Sequence, residues 1–304
     1  MGDRQMLKAV TSGVALAVGL TAAPSFAQMP PPPPMAFNWT GCHVGVNGGW
    51  AHDSETYQLA PTGTYLTAPG AAAPPNPAGT GDFATDIAAL TTSTKVSDSG
   101  FIGGGQIGCD TMLGPSGAFP LSPLFGAPVV LGFEGDFDGS TLSNKSSQSF
   151  AAFANIGNPA FTDAPRTQSV SDSLNWVTSF RGRVGLAWNQ LLLYGTGGIA
   201  LADYSAASTV AFGTVAANGV FSGALHIGTA SSTRVGSVFG GGAEYAFGNN
   251  WSLRGEYLVY DFGSTSVISP LVSPAGNAPG YAWTTKISNR SPQVFRVGLN
   301  FKFN

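Results

Sequence analysis

Three histidines and two cysteines are the side chains of this sequence best suited to catalysis or metal binding, and their spacing favours neither. His43, His52 and His226 each lack a second histidine or a cysteine at a spacing typical of zinc ligands. Only His52 has an acidic neighbour, Asp53, which is a weak hint of a hydrolase or acyltransferase. No nucleophile elbow or catalytic triad accompanies it. We therefore predict no catalytic residue, no metal site and no cofactor.

Charged residues recur with a period of two, and this pattern indicates the elements that position them. In "VVLGFEGDFD" acidic residues alternate with apolar ones, and in "LNWVTSFRGRVGLAW" arginines do the same, with Leu174, Trp176 and Phe180 on the apolar side. Successive side chains of a β-strand point to opposite faces, so each segment predicts a strand with one charged face. The predicted strands are about 38–51, 100–111, 127–139, 173–188, 191–206, 233–247, 251–262 and 293–303.

Charges of both signs lie on the same face of neighbouring predicted strands. If that face lines a narrow interior, the charges must pair with one another, because an unpaired buried charge is costly. We expect glycines on this face to make room for the arginines and His43 to form a hydrogen bond there. The predicted interior charge network is Glu134, Asp136, Arg181, Arg183, Glu244, Arg254 and Glu256.

The connections between the predicted strands alternate in length. Only "NQ" separates the fourth and fifth strands and only "GNN" the sixth and seventh, whereas the stretches at about 53–99, 140–172, 207–232 and 264–291 are long. In an up-and-down meander all long connections then lie at one end. Transmembrane barrels have this arrangement, with long extracellular loops and short periplasmic turns.

The composition agrees with strands that meet lipid. Only 10% of residues are charged, and the formal net charge is −3, which argues against a nucleic-acid partner. We predict an all-β, up-and-down antiparallel transmembrane barrel of about eight strands. A soluble secreted β-sandwich adhesin is the alternative, since alternation fits it equally well.

Aromatic residues lie near the ends of the predicted strands or on their apolar faces. Barrels carry girdles of tryptophan and tyrosine at both membrane interfaces. The predicted girdle is Trp39, Trp50, Trp176, Trp188, Tyr245, Trp251 and Tyr257.

The N-terminal segment is predicted to be a targeting signal followed by a spacer. Residues 1–27 contain Arg4 and Lys8, an apolar run and a final Ser-Phe-Ala, which predicts a secretory signal peptide and export through the secretion translocon. Either Met1 or Met6 fits as its start. Residues 28–37 are rich in proline and predict a stiff spacer, and the barrel domain is predicted at 38–304.

Several stretches resemble the small outer-membrane β-barrel proteins of alphaproteobacteria, the "porin family" related to the OmpA-type eight-stranded barrel. They include "NWTGCHVGVNGGW", "SGFIGGGQIGCD", "VLGFEGDFD", "LYGTGGIALADY", "GGGAEYAFGNNWSLRGEYLVYDFG" and "FRVGLNFKF". The resemblance implies a Gram-negative outer-membrane location, a role in envelope integrity and no catalysis. Some members bind haem or host molecules through exposed loops or serve as surface antigens, so an extracellular ligand at the loops is an expectation of the same kind.

The last strand resembles the signal read by the barrel-assembly machinery, which favours a C-terminal aromatic residue. Its apolar face is expected to meet lipid, and the strand is expected to pair with the first strand around Val44 and Val46 and so close the barrel. Phe303 matches the terminal aromatic, although Asn304 follows it. The predicted signal residues are Phe295, Val297, Leu299, Phe301 and Phe303.

The two cysteines fall near the same end of adjacent predicted strands, Cys42 at the start of the first and Cys109 at the end of the second. In an oxidising periplasm, opposed residues of antiparallel strands can be bridged. We predict a Cys42–Cys109 disulfide, with two small apolar side chains as the alternative.

About eight strands leave an interior that side chains fill. The sequence therefore predicts a structural and interaction barrel with a plugged lumen. The alternative within the same fold is a narrow diffusion channel.

Overall fold

The structure is a computed structural model that describes residues 37–63, 90–113, 127–154, 162–163, 165–213, 219–220, 223–273 and 281–303. The predicted signal peptide and residues 28–36 of the predicted spacer lie outside the described residues. Their boundaries therefore stay predictions. In the described ranges, no helix is long and apolar enough to cross a membrane.

Antiparallel β-strands make up nearly all of the described chain, as the two-residue period predicts. Gly/Asn turns separate several of them, and Asn189 and Gly248 adopt positive φ in the two tight turns. The strands are β1 (Gly41–Gly63), β2 (Thr92–Leu113), β3 (Val129–Ser140), β4 (Ser143–Phe150), β5 (Phe153–Ala154), β6 (Thr162–Asp163), β7 (Arg166–Trp188), β8 (Leu191–Phe212), β9 (Gly219–Val220), β10 (Leu225–Phe247), β11 (Trp251–Asp261), β12 (Thr265–Ser273), β13 (Tyr281–Ser288) and β14 (Gln293–Phe303).

Eight strands close on themselves in the half of the molecule that contains the tight turns. The order around the ring is β1, β2, β3, β7, β8, β10, β11 and β14, and β14 returns to β1. The closing ladder sets Val44 opposite Phe301 and Val46 opposite Leu299, so the predicted pairing of the last strand with the first is confirmed. Closure leaves no sheet edge in this half.

The ring continues upward into a second half. β3 is followed by β4, β11 by β12, and β13 precedes β14, while β1, β2, β7, β8 and β10 run through both halves. Large parts of the stretches predicted as loops are therefore strand. A small separate sheet of β5, β6 and β9 lies among the long connections.

The outward-facing side chains change character between the two halves. On β1 they are apolar as far as Trp50 and polar from His52 onward, and on β2 the change falls between Phe101 and Ser99. On β7 a bulge between Leu174 and Trp176 accompanies the same change. The lower half thus carries an apolar outer band. The upper half, here called the extension, has a mainly polar outer surface, with exposed apolar side chains at Ile227, Ile268 and Val272.

Side chains fill the interior in alternating apolar and polar layers. On β7, the inward face passes from Ala187 through the arginines to Val177 and Leu174, then to Asp172 and Val170. Three apolar clusters mark the bottom, the middle and the top of this sequence of layers. Leu174 therefore faces inward, contrary to the alternation-based expectation, because the bulge shifts the phase of the strand.

Candidate functional site

The lower polar layer, here called the charge network, lies between the bottom and the middle apolar clusters. Its four guanidinium groups come from β7 and from the adjacent pair β11 and β14 on another part of the ring. Each is at most 2% exposed at the side chain. The arginines are Arg181, Arg183, Arg254 and Arg296.

Arg181 is the centre of the network. It donates to Glu256 at 2.9 Å, to Asp136 at 2.8 Å and to Glu134. Glu134 also receives a hydrogen bond from Arg254 and lies directly opposite Arg181 in the β3–β7 ladder. One guanidinium thus links carboxylates from β3 and β11 across the lumen.

Arg296 and Arg183 extend the network upward and downward. Arg296 donates to Asp138 at 2.6 Å and to Glu256 at 2.9 Å. Arg183 forms a two-point contact with Asp110 and donates to Glu244 at 3.1 Å. Such charge-assisted, multiply bonded pairs lower the cost of burying Arg183 and Arg296, whereas Arg181 Nε and Arg254 Nε have no hydrogen-bond partner in the described residues.

His43 joins the lower edge of the network. Its Nε2 lies 3.4 Å from Glu134 and its Nδ1 3.5 Å from Asp110, both buried carboxylates. Nearby, Gln106 donates to Asn300 at 2.6 Å, and Asn300 in turn donates to Glu244. The predicted inward orientation of His43 matches this position.

Glycines on the inner face make room for these polar side chains. A Cβ at Gly132 would collide with the Asp110 carboxylate, and one at Gly242 would lie 2.7 Å from the Tyr194 hydroxyl. The hydroxyl of Tyr194 donates to Glu256 at 3.0 Å. The narrow lumen can hold this many charged groups only because part of its wall has no side chain.

The structure brings all seven residues of the predicted charge network together. It adds Asp110, Asp138, Arg296 and His43, of which Asp110 had no place in the prediction. A signal for Asp110 was present in the sequence, because it directly follows an outward-facing position, Cys109, and so must point inward.

Trp39 closes the lower mouth of the barrel. Only 3% of its surface is exposed, it belongs to the bottom apolar cluster, and its backbone N–H donates to the Met112 sulfur at 3.2 Å. Phe37 packs against it edge-on with ring centroids 4.8 Å apart. The assignment of Trp39 to the aromatic girdle is therefore wrong: the segment before β1 folds under the barrel, so the indole cannot face outward.

A second polar layer lies in the extension. Arg290, in the connection between β13 and β14, donates to Asp172 at 2.7 Å, and its Nε lies 3.3 Å from Glu55. Burial and the neighbouring Asp172 carboxylate raise the pKa of Glu55 to about 10. Burial raises the pKa of Asp53 to about 6.

Comparison with known proteins agrees with this architecture. Residues 13–303 match the family model described as outer membrane protein beta-barrel domain. The chain belongs to this outer-membrane β-barrel family. The match overturns the alternative of a soluble β-sandwich and places the protein in the outer membrane.

Two similar proteins carry the name 31 kDa outer-membrane immunogenic protein, from Brucella melitensis biotype 1 and Brucella suis biovar 1. Each is 28% identical to this chain over 268 residues, covering 88% of the chain and 85% of the relative. Among solved structures, the outer membrane protein OprG from Pseudomonas aeruginosa aligns over 88% of this chain and 98% of its own, with 11% identity and a TM-score of 0.42.

In this outer-membrane barrel, the apolar outer band is the surface that faces lipid, and the tight turns mark the periplasmic end. The extension then lies outside the cell. Six predicted girdle residues point outward on the band. Trp50, Trp176 and Tyr257 lie toward its extracellular edge, and Trp188, Tyr245 and Trp251 toward its periplasmic edge.

The two girdle tyrosines show the orientation expected at an interface. The hydroxyl of Tyr257 donates to Gln293 at 2.7 Å, and that of Tyr245 donates to Gln190 at 2.9 Å. Each ring thus lies on the apolar band while its hydroxyl reaches a polar residue at the edge. That these tyrosines belong to an aromatic girdle at the membrane interfaces stays a prediction.

Cys42 and Cys109 lie directly opposite each other in the β1–β2 ladder, and the structure joins them in a disulfide with an S–S distance of 2.04 Å. The bond lies at the periplasmic end of the outer-membrane barrel. It ties the first strand, which closes the barrel, to its neighbour along the chain.

The C-terminal strand β14 places its predicted signal residues in one outward row. Phe303 at the end of the row is 43% exposed, and Lys302 beside it points to the periplasmic mouth, where it donates to the Asn38 carbonyl. Recognition of this row by the assembly machinery stays a prediction.

The histidines do not form a metal site or a triad in the described residues. No group of three or more His, Cys, Asp or Glu side chains there has an arrangement that could hold a metal ion. His52 contacts Ser99 at 2.9 Å on the outer surface, and Asp53 points inward, away from it. The pair His52–Asp53 is therefore split between the two faces of β1.

Proposed function

We propose that this protein is a structural and interaction barrel of the outer membrane, which supports envelope integrity and presents its extension to external ligands. The observation that carries the proposal is the filled interior. Three apolar clusters and two buried polar layers occupy the described barrel from its periplasmic mouth to its extracellular end.

A plugged lumen disfavours the narrow diffusion channel. An open channel needs a continuous column of water, and four buried arginines bound to carboxylates from opposite walls occupy that path. Opening it would break many charge-assisted bonds at once. The protein is thus expected to hold the membrane and to display its extracellular part.

A non-enzymatic role fits the surface as well. The contact between His52 and Ser99 is the arrangement in the described residues that most resembles a nucleophile and base, and the hydrogen bonds described for His52 include no carboxylate to orient it. The similar Brucella proteins are named for immunogenicity, and we infer that the extension of this chain is likewise an accessible surface antigen. Binding of haem or of a host molecule there stays a prediction of the family resemblance.

Surface presentation is tested on intact cells. A small epitope inserted next to Gly223, in the extension, should be reached by antibody, whereas the same epitope in the turn at Asn249 should be reached only after the outer membrane is permeabilised. Equal labelling of both insertions in intact cells would contradict the proposed orientation. Loss of heat-dependent electrophoretic mobility would identify an insertion that prevents folding.

A further inference from the structure

The polar layer of the extension contains three carboxyl groups and one guanidinium. Asp53 and Glu55 come from β1 and are each 1% exposed, Asp172 comes from β7, and Arg290 comes from the connection between β13 and β14. Arg290 bonds Asp172 and lies 3.3 Å from Glu55. The layer lies above the apolar band, where neighbouring outward positions such as Ser171 are polar.

The other ionisable groups around the layer add no second buried positive charge, since Lys145 on β4, near Asp172, is exposed. Tyr57 donates its hydroxyl to Asp172 at 3.0 Å, and the ring of Tyr204 on β8 lies 4.3 Å from the Arg290 guanidinium carbon. Asp98 on β2 lies opposite Asp53 but is exposed. Arg234 on β10 is bonded to Ser232 and Thr265. Arg290 is therefore the buried cation that balances the three buried carboxyl groups of this layer.

Three buried carboxylates beside one guanidinium cannot all stay ionised at low cost, because like charges in a poorly solvated site repel each other. In the described part of the chain, Asp53 Oδ2 and both carboxylate oxygens of Glu55 also have no hydrogen-bond partner, and the 3.3 Å contact with Arg290 Nε is an ion pair only. A proton retained on Glu55 relieves the excess negative charge. The pKa of Glu55, raised by burial and by Asp172, agrees with this charge balance.

The same groups hold an irregular segment of the barrel wall. Residues 289–292 interrupt the strand between β13 and β14, and Asn289 has a positive φ of 64°. Besides the contacts of Arg290, the N–H of Ser291 donates to Asp53 at 3.3 Å. On the other side, the N–H of Phe262 donates to the Arg290 carbonyl at 3.0 Å. The acidic residues of β1 and β7 thus fasten this segment to the interior.

We propose that this layer is a proton-dependent latch, which holds the segment 289–292 against β1 and β7 while Glu55 carries a proton and loosens it when that proton is lost. The direction of the pH dependence follows from the linkage between proton binding and closure. In the closed state Glu55 keeps its proton up to a pKa of about 10, whereas an opened, solvated Glu55 loses it above its ordinary pKa of about 4.5. Closure therefore weakens as the pH rises between these two values. The latch goes beyond the proposed structural role, because it makes the extension responsive to external pH.

The protonation of Glu55 can be observed directly, because the chain has only four glutamates. In protein folded in detergent and labelled with ¹³C at the glutamate carboxyl, the resonance that is missing from Glu55→Gln should titrate with a midpoint above about pH 8. A midpoint below about pH 6 would overturn the proposal. This measurement on the wild type does not depend on the stability of any variant other than the one used for assignment.

The loosening of the segment 289–292 is tested by amide hydrogen exchange of residues 289–291. The exchange rates are corrected for the intrinsic pH dependence of amide exchange. Between about pH 6.5 and pH 8.5 the opening equilibrium should rise by up to about tenfold per pH unit in the wild type. It should be nearly flat in Glu55→Gln, whose neutral amide imitates the protonated acid, while the exposed control Asp98→Asn should retain the wild-type slope. An equal slope in Glu55→Gln and the wild type would reject the latch.

Discussion

At the scale of single residues, the charge network depends on opposite charges that meet across the lumen. Arg181 reaches Glu134, Asp136 and Glu256 from one position, so its removal leaves several buried carboxylates with less compensation. Arg254 also bonds Glu134, and Arg296 also bonds Asp136 and Glu256, so each of these carboxylates is shared between two guanidinium groups. Without Arg181 each carboxylate would keep one guanidinium contact, but the buried network would lose one positive charge.

We expect Arg181→Ala to lower the free energy of unfolding by about 3–5 kcal/mol, because it increases the excess of negative charge in the buried network. The measurement is urea unfolding of detergent-folded protein followed by the electrophoretic mobility of the folded form. Arg234→Ala is the matched control: this half-buried arginine of the extension bonds the neutral residues Ser232 and Thr265 and should cost about 1 kcal/mol. Equal costs for the two substitutions would contradict a central role for the charge network.

Residue types predicted this network well but not completely. Glu134 and Arg181 stood out because both alternate with apolar neighbours on adjacent strands. Trp39 was misassigned because an aromatic residue before a first strand looks the same whether it lies at an interface or folds under the barrel. Only the tertiary contact with Met112 and Phe37 distinguishes the two.

At the scale of elements, the lower half could be predicted from the sequence and the extension could not. A strand between lipid and a polar lumen shows a strong two-residue contrast. In the extension part of β7 the outward face is Ser/Thr-rich and the inward face mixes Gln168, Val170 and Asp172, so the contrast disappears. The bulge at Leu174 likewise leaves no single-residue signature, since it depends on the partner strand.

The last strand carries a prediction at this scale. β14 closes the barrel against β1 and ends with outward-facing Phe303, which pairs with Cys42. Phe303→Ala should reduce the amount of folded barrel in the outer membrane by about tenfold if the assembly machinery reads this aromatic residue, which corresponds to about 1.4 kcal/mol of recognition. The measurement is the heat-modifiable fraction in outer-membrane preparations.

Deletion of Asn304 is the control for that experiment, because it leaves the aromatic row intact and makes Phe303 terminal. This variant should assemble as the wild type does. Normal assembly of both variants would show that the C-terminal row acts only as a lipid-facing surface. Refolding both in detergent separates a defect in recognition from a defect in barrel stability.

At the scale of the whole molecule, two halves of one barrel serve different surroundings. The lower half presents an apolar band to lipid and carries a charge network inside, while the extension presents hydroxyl-rich strands outward and an apolar core with a small acidic layer inside. Five strands, β1, β2, β7, β8 and β10, run through both halves and connect them. A ligand or antibody bound to the extension is therefore held by strands that are anchored in the membrane.

Planar-bilayer conductance tests whether side chains close the lumen from end to end. Purified, heat-modifiable protein should insert without producing the steady conductance steps of a general porin, because no water column passes the charge network. A general porin reconstituted in parallel shows that the bilayer reports open pores. Reproducible porin-sized steps from the wild-type barrel would contradict the claim.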